Sequence, residues 1–398
     1  MKCKILKTEI NPFMTFGKMP IANGFLTKEN FDSEFFFNLD VGFSEKISLF
    51  QLNDHPTPEQ MFNKNYPFYT GSSQFMKSHF ASYADSVKKY LKTDSKLIEI
   101  GSNDGTFLKN FTNSNITSIG FEPSENTALE AKKKGVKTIN SFFSQKNISE
   151  LKDFLDSTDL ICGANVICHI PDLTDTIKAV DKLLSKKGVF IFEEPYLGSM
   201  FKKTSYDQIY DEHIFIFSAT SIQKIFDIFD FELIDLIPQI THGGSMRYVL
   251  ARKKQRNINS IVKKILNDEK KMNLDNLQSC MNFKKNCEIS KNNLKEKIKH
   301  LKSKGKKICG YAATSKSTTV LNYCKIGSES IEFICDTTKE KIGKYSPGMH
   351  IPIVSMDHFY KKKPDVAFLF AWNHKEEIFN KEKNFTQNKG EWISHVKF

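Results

Sequence analysis

The sequence predicts an α/β protein: a Rossmann-like doubly wound sheet, preceded by a small irregular module and followed by a second, smaller α/β unit. Three observations carry this. From residue 96 short apolar runs alternate with helical segments, the pattern of a mostly parallel sheet covered on both faces. A glycine-bounded turn, Glu99-Ile-Gly-Ser-Asn-Asp-Gly105, follows the first of those runs directly. The same alternation restarts at Lys307, beyond a Lys-rich stretch with helical spacing. A length of 398 residues allows two or three domains at roughly 150 residues each.

In chain order, residues 1–73 read as the irregular module, with strand-like runs at 34–39 and 47–52 broken by five prolines. Phe75, Met76, Phe80, Tyr83, Ala84, Val87 and Leu91 form one stripe of a helix over 74–92. Strands are expected at 96–100, 117–121, 136–139, 160–164 and 188–192, with helices from about Thr106, through Ala128 to Ala131, and at 173–184. Two late runs, 232–236 and 246–251, suggest an antiparallel hairpin at the sheet edge and complete a unit over 74–252. Residues 253–300 form a basic helical connector, and 301–398 the second α/β unit, with strands at 307–311, 331–335 and 367–370.

Composition excludes several classes. Charged residues are 26% and hydrophobic residues 39%, ordinary for a folded soluble chain. The longest apolar runs, such as 366–372, are strand-sized, well short of the roughly 18 residues that suggest a membrane span. The first ten residues carry no secretory h-region. None of the eight cysteines forms a C-x-x-C pair and several sit in apolar runs, so a reducing, cytoplasmic setting is expected. The net charge of +12 invites a nucleic-acid reading, but residues 252–307 hold 18 Lys+Arg against 5 Asp+Glu and leave the rest near neutral. That stretch is nearly devoid of aromatics for base stacking, so a solvated helical face is favoured and no nucleic-acid partner is expected.

The turn at 99–105 is the most informative stretch. Its glycines let a ligand approach the backbone at the carboxyl edge of the first strand. Glu122, at the end of the second strand and followed by Pro123, can accept hydrogen bonds from both ribose hydroxyls of an adenosine. The glycine spacing is not G-x-G-x-x-G, and Asp104 would repel a pyrophosphate. It would not repel an ammonium or a sulfonium, so the charge logic favours S-adenosylmethionine (SAM) over a nicotinamide dinucleotide.

Here the chain resembles the class I SAM-dependent methyltransferases, and more narrowly the C-methyltransferases of nucleotide-linked 4-keto deoxysugars. The resemblance covers nearly the whole chain. It rests on Pro20-Ile-Ala-Asn23, the 99–105 turn, Ala164-Asn-Val-Ile-Cys-His-Ile-Pro171, Glu194-Pro-Tyr196, Tyr210-Asp-Glu-His213, His242-Gly-Gly-Ser-Met-Arg247, Gly310-Tyr-Ala-Ala-Thr-Ser-Lys316 and Pro347-Gly-Met-His-Ile-Pro352. It implies a SAM site at Glu99, Gly101, Ser102, Asn103, Asp104, Gly105, Glu122, Pro123 and Asn165. The family's N-terminal module usually holds a structural zinc on two C-x-x-C knuckles. Here Cys3 remains, Leu6 replaces its partner, and 43–47 holds no cysteine, so no zinc or other metal is expected.

Carbon methylation next to a ketone requires a base, a donor for the enolate oxygen and in-line placement of the methyl. His213 is the best base candidate. Glu212 could orient it or bind substrate, and Tyr210 could donate to the enolate; a helix-capping or core cluster is the bland alternative. His169, beyond the fourth strand, is the second candidate base, and a satisfied core histidine otherwise. Tyr66 matches a family tyrosine that reaches the site, with Tyr69 close enough to confuse the assignment. His242, Gly243 and Arg247 are expected near the substrate, Arg247 on a diphosphate or as an ordinary sheet-edge residue. Lys316 could bind phosphate at a helix start or lie in an inert turn. The leading expectation is thus SAM-dependent C-methylation of a nucleotide-linked keto sugar. O- or N-methylation of a sugar or other small molecule, nicotinamide-linked redox chemistry, and a non-catalytic SAM- or nucleic-acid-binding protein are the competing readings.

Overall fold

The computed structural model describes residues 1–64 and 66–397. Three sheets organise the chain. The central one has seven strands in the order Phe231–Gln239, Ser245–Arg252, Leu184–Pro195, Thr158–Ala164, Lys96–Ile100, Thr117–Phe121, Thr138–Ile139. All neighbours are parallel except Ser245–Arg252, which runs antiparallel to both strands beside it. The late hairpin lies at the sheet edge as expected, with its second strand between the first and the rest of the sheet. The chain winds one way from Lys96–Ile100 and then the other way from Thr158–Ala164, and the gap between those two strands is the switch point where such sheets bind ligands.

Alternate residues of these strands enter two different cores. Leu97, Leu160, Cys162, Val189 and Ile191 pack with Phe80 and Tyr83 of the helix Gln74–Val87. Ile98, Ile100, Ile161, Phe190 and Phe192 pack with Ile177 and Val180 of Leu173–Leu183 and with Ile222 and Phe226 of Ala219–Asp227. Burial on both faces explains why the strands read as unbroken apolar runs. Asp172 and Ser218 accept from backbone N–H groups in the first turns of the latter two helices and fix their starts. The helix expected from Thr106 is not an α-helix: a short 3-10 turn, Leu108–Phe111, takes its place. Thr112, Asn113, Ser114 and Asn115 follow it, and such residues compete for their own backbone rather than extend a helix.

The N-terminal sheet contains Pro12–Pro20, Phe36–Ser44, Leu49–Leu52 and, from far along the chain, Phe215–Ile216. The first of these strands was not evident from the sequence. The C-terminal sheet is all parallel, in the order Ile353–Ser355, Ile334–Asp336, Ile308–Tyr311, Val366–Leu369, Glu391–Ile393, and its two three-residue outer strands were also not foreseen. The basic stretch forms Ser260–Lys271 and Leu277–Ser303. The second is more than a solvated connector: Cys280, Phe283, Cys287, Leu294, Ile298 and Leu301 enter a core shared by the N-terminal sheet (Phe13, Leu39, Phe50) and the C-terminal sheet (Ile308, Ile334, Ile353). Among the described residues no helix is long and apolar enough to cross a membrane.

Candidate active site

A cavity of about 1460 Å³ lies over the carboxyl ends of Lys96–Ile100 and Thr158–Ala164. The central and C-terminal sheets contribute to its walls, together with Asn23 and residues from His55 to Ser72 that lie outside the strands of the N-terminal sheet. Glu99, Gly101, Ser102, Asn103 and Asp104 form its floor, with Glu122, Pro123 and Asn165 beside them. Gly101 has φ +66°, and a Cβ there would meet the Val166 side chain at 2.6 Å, so the turn holds only glycine comfortably. Gly105, at φ +74°, is not part of the lining; it packs against Ala131 and Val136 of the neighbouring unit.

The charges on this floor differ from the sequence-based picture. Asp104 accepts from Gly71 N–H, Thr106 Oγ1 and Lys134 Nζ, at 2.7–3.0 Å, so its charge is already matched. Burial would raise its carboxyl, but Lys134 and Thr106 overcome that and hold it low. Glu99 and Glu122 are the unmatched acids. Glu99 is 4% exposed and its Oε2 has no partner among the described residues. Burial, then the charges of Glu122 and Asp104, push its carboxyl well above the usual range. Glu122 accepts from the backbone N–H groups of Asn103 and Ser124, and burial still raises it. Buried oxygens without partners also occur at Ser102 Oγ and Asn165 Oδ1. A cationic, hydroxyl-bearing ligand satisfies such a set, and SAM is such a ligand.

The second cluster lies across the cavity. His213 Nδ1 is 2.6 Å from the Gln208 carbonyl oxygen, which can only accept, so Nδ1 carries the proton. Nε2 is then a bare lone pair, and Tyr210 donates to it at 2.9 Å. Gln208, not Glu212, orients the imidazole. Burial, then His169, holds His213 well below its ordinary proton affinity. His169 stacks between Phe62 and His213, with ring centroids 5.6 and 5.3 Å away, and burial lowers it to about 3. Glu212 accepts from Asn23 Nδ2 at 2.7 Å and from Tyr66 at 3.4 Å, and burial raises its carboxyl to about 7. Tyr66 thus points to the acid cluster, whereas Tyr69 receives Asn126 Nδ2 on the cofactor side.

The C-terminal sheet turns its own carboxyl edge to the same space. Thr314, Ser315 and Lys316 follow its central strand, Asp336 to Lys341 follow Ile334–Asp336, and Asn373 and His374 follow Val366–Leu369. Lys316 is 6% exposed, lies 3.3 Å from Asn373 Oδ1, and is lowered by burial. Lys341 and His374 were not singled out in the sequence, and Asn23 only as the end of a family motif with no site role. The 336–341 run could have been found by its place after a strand; Asn23 meets Glu212 only through a contact spanning 189 residues.

His242 lines the cavity, but Gly243 and Arg247 do not. A Cβ on Gly243 would meet the Trp372 ring at 2.0 Å, so this glycine allows the C-terminal sheet to dock. Arg247 is 4% exposed; its guanidinium donates to Glu193 and Ser86 and lies 3.8 Å over the Tyr83 ring. It is a buried brace within the sheet, unavailable to a diphosphate.

Three family models match the chain in order. Residues 3–62 match a "Putative zinc binding domain", 75–236 a methyltransferase domain and 240–396 a C-methyltransferase C-terminal domain. In the first segment Cys3 is the sole cysteine; its Sγ accepts from Leu6 N–H at 3.4 Å, and one thiolate cannot close a tetrahedral site. The chain is 29% identical over 384 residues to the C-methyltransferase NovU of Streptomyces niveus, covering 96% of this chain and 91% of that one. Similar solved structures include a possible histamine N-methyltransferase of Thermotoga maritima, at 20% identity and TM-score 0.36 over 45% of this chain and 92% of that one. Another is magnesium protoporphyrin IX methyltransferase of Synechocystis PCC 6803, at 13% identity and TM-score 0.36 over 44% and 83%. A methyltransferase-domain match over the very sheet whose carboxyl edge forms the acidic cradle makes the chain a SAM-dependent methyltransferase of the class I fold, carrying the C-methyltransferase C-terminal domain.

Proposed function

We propose that the chain methylates carbon next to the ketone of a nucleotide-linked 4-keto (deoxy)sugar. The observation that carries this is the His213 imidazole: protonated at Nδ1 by its bond to the Gln208 carbonyl, it holds an unprotonated Nε2, hydrogen-bonded by Tyr210, at the cavity wall. Bound SAM supplies an electrophilic methyl group. His213 Nε2 takes the proton from the carbon next to the ketone, and Tyr210, released from Nε2, donates to the enolate oxygen. Burial keeps His213 neutral and ready to accept, and the Gln208 carbonyl on Nδ1 favours the imidazolium once it forms. His169 stacks on the His213 ring, and Phe62 stacks in turn on His169. Lys316, buried, and Lys341, half-buried, line the cavity from the C-terminal sheet and are cations available to a diphosphate.

His213→Asn tests this. It should leave SAM binding intact and lower turnover on a 4-keto nucleotide sugar at least about 10²-fold, the usual share of a general base. Exchange of the adjacent carbon's hydrogen with heavy water isolates the step and should vanish with it. Exchange retained in His213→Asn would move the base to His169.

A further inference from the structure

We propose that Cys168, His169 and His213 form a binding site for a borderline-soft divalent cation of the Zn2+ or Co2+ kind, and that its occupation silences the site. One ligand atom from each residue lies within 4.8 Å of the others, and all three residues are buried. Two histidines and a cysteine are a donor set that zinc accepts, with three protein ligands and a fourth position left open. Here the open position faces the cavity, which His169 and His213 line, so a cation has a way in.

The lone pairs are available. His213 Nε2 is unprotonated, as the Gln208 bond dictates. His169 Nε2 is buried with no hydrogen-bond partner among the described residues. Zinc bond lengths place tetrahedral ligand atoms roughly 3.5 Å apart, so the cluster must close somewhat. His169 can supply that movement, since ring stacking on Phe62 and His213 is its only side-chain restraint among the described contacts. The other side is fixed: Glu194 accepts from the N–H groups of Val166 and Ile167, at 3.0 and 2.7 Å, and holds the turn Ile167–His169 that carries both Cys168 and His169.

The exchange balances simply. Two nitrogen–metal bonds and one sulfur–metal bond form, the water ligands they replace leave the cation for solvent, and the Cys168 S–H bond breaks. The thiol proton passes to solvent. No electron is transferred. The cation occupies the lone pair on His213 Nε2 and displaces the Tyr210 hydroxyl from it.

Metal binding stands without the proposed reaction, and only the silencing rests on His213 as base. Full-length protein stripped with a chelator is titrated with Co2+. The expected result is a thiolate-to-cobalt charge-transfer band that saturates at one equivalent and is absent from Cys168→Ala. In His169→Asn, cation affinity should fall at least about ten-fold, which keeps the test open if Cys168→Ala fails to fold. No charge-transfer band at one equivalent overturns the proposal, as does an undiminished band in Cys168→Ala, which would place the thiolate elsewhere. One equivalent of Zn2+ should abolish methyl transfer in the native protein, and Cys168→Ala should need at least about ten-fold more. A full band with undiminished turnover overturns the silencing. Absence of turnover on any 4-keto sugar, with the band present, counts against the reaction and not against the site.

Discussion

Glu193 and Glu194 are neighbours on one strand, both fully buried, and they behave in opposite ways. Burial would raise Glu193, but His79 at 2.8 Å and the Arg247 guanidinium at 2.8 Å overcome it and hold the carboxyl below its usual range. Glu194 faces the other way, accepts the N–H groups of Val166 and Ile167, has no cation paired with it among the described residues, and is raised by burial to about 7. Burial is equal, so the resident cation makes the difference. An acid with its own cation is a brace. An acid without one keeps its capacity for a ligand or a proton, and Glu99, Glu122 and Glu212 on the cavity wall are of that kind. Asp104 lies on the same wall but belongs with the braces through Lys134.

The most direct way to break this comparison is Arg247→Met. It leaves Glu193 buried opposite a neutral side chain and should cost about 3–5 kcal/mol of stability, read from urea midpoints. A loss under about 1 kcal/mol would mean that His79 alone suffices, and that Arg247 is not the brace.

The two glutamates should also respond to pH with opposite slopes. Glu194 binds its proton more tightly when folded, so its contribution is full below pH about 4.5 and is lost as pH rises towards about 7. Glu194→Gln removes that titration, and its stability relative to the native protein should therefore climb across this window, by up to about 3 kcal/mol. Glu193 is held low, so its contribution is present above the ordinary glutamate value and lost as pH falls through the folded one. Glu193→Gln should accordingly fare worst near neutrality and recover in acid. Slopes of the same sign in the two variants would end the distinction.

Smaller effects sharpen it at the cofactor. Glu122→Ala should weaken SAM by about 1.5–3 kcal/mol in calorimetric titration, the worth of a charge-assisted hydrogen bond. Asp104→Asn, which disturbs a brace, should change SAM affinity by less than about 1 kcal/mol. If Asp104→Asn matches Glu122→Ala, the acid nearest the turn is a direct ligand after all.

The same distinction explains what the sequence made legible. The 99–105 turn and Glu122 could be read because strand, turn and next strand are contiguous and their spacing is fixed by the parallel sheet. Tyr210, Glu212 and His213 could be picked out as a cluster, but their division of labour could not. The carbonyl that orients His213 belongs to Gln208, a backbone atom with no signature in the side-chain alphabet. Arg247 looked like a substrate cation because Glu193 lies 54 residues away, and only the antiparallel register of their strands brings them together. The 3-10 turn at Leu108–Phe111 and the three-residue outer strands escaped for a different reason: each is too short to show a period.

The strand Phe215–Ile216 begins two residues after His213 and pairs with Leu49–Leu52 of the N-terminal sheet, where Phe50 faces Ile216 and Leu52 N–H donates to the Ile214 carbonyl. The histidine thus hangs from a seam stitched to a part of the chain made some 160 residues earlier. For an engineer this rules out the obvious graft. Transplanting the cofactor sheet alone, to recruit it to a new acceptor, would carry His213 along but leave behind the selvage that keeps it in register. The transplantable unit is the sheet together with its borrowed edge.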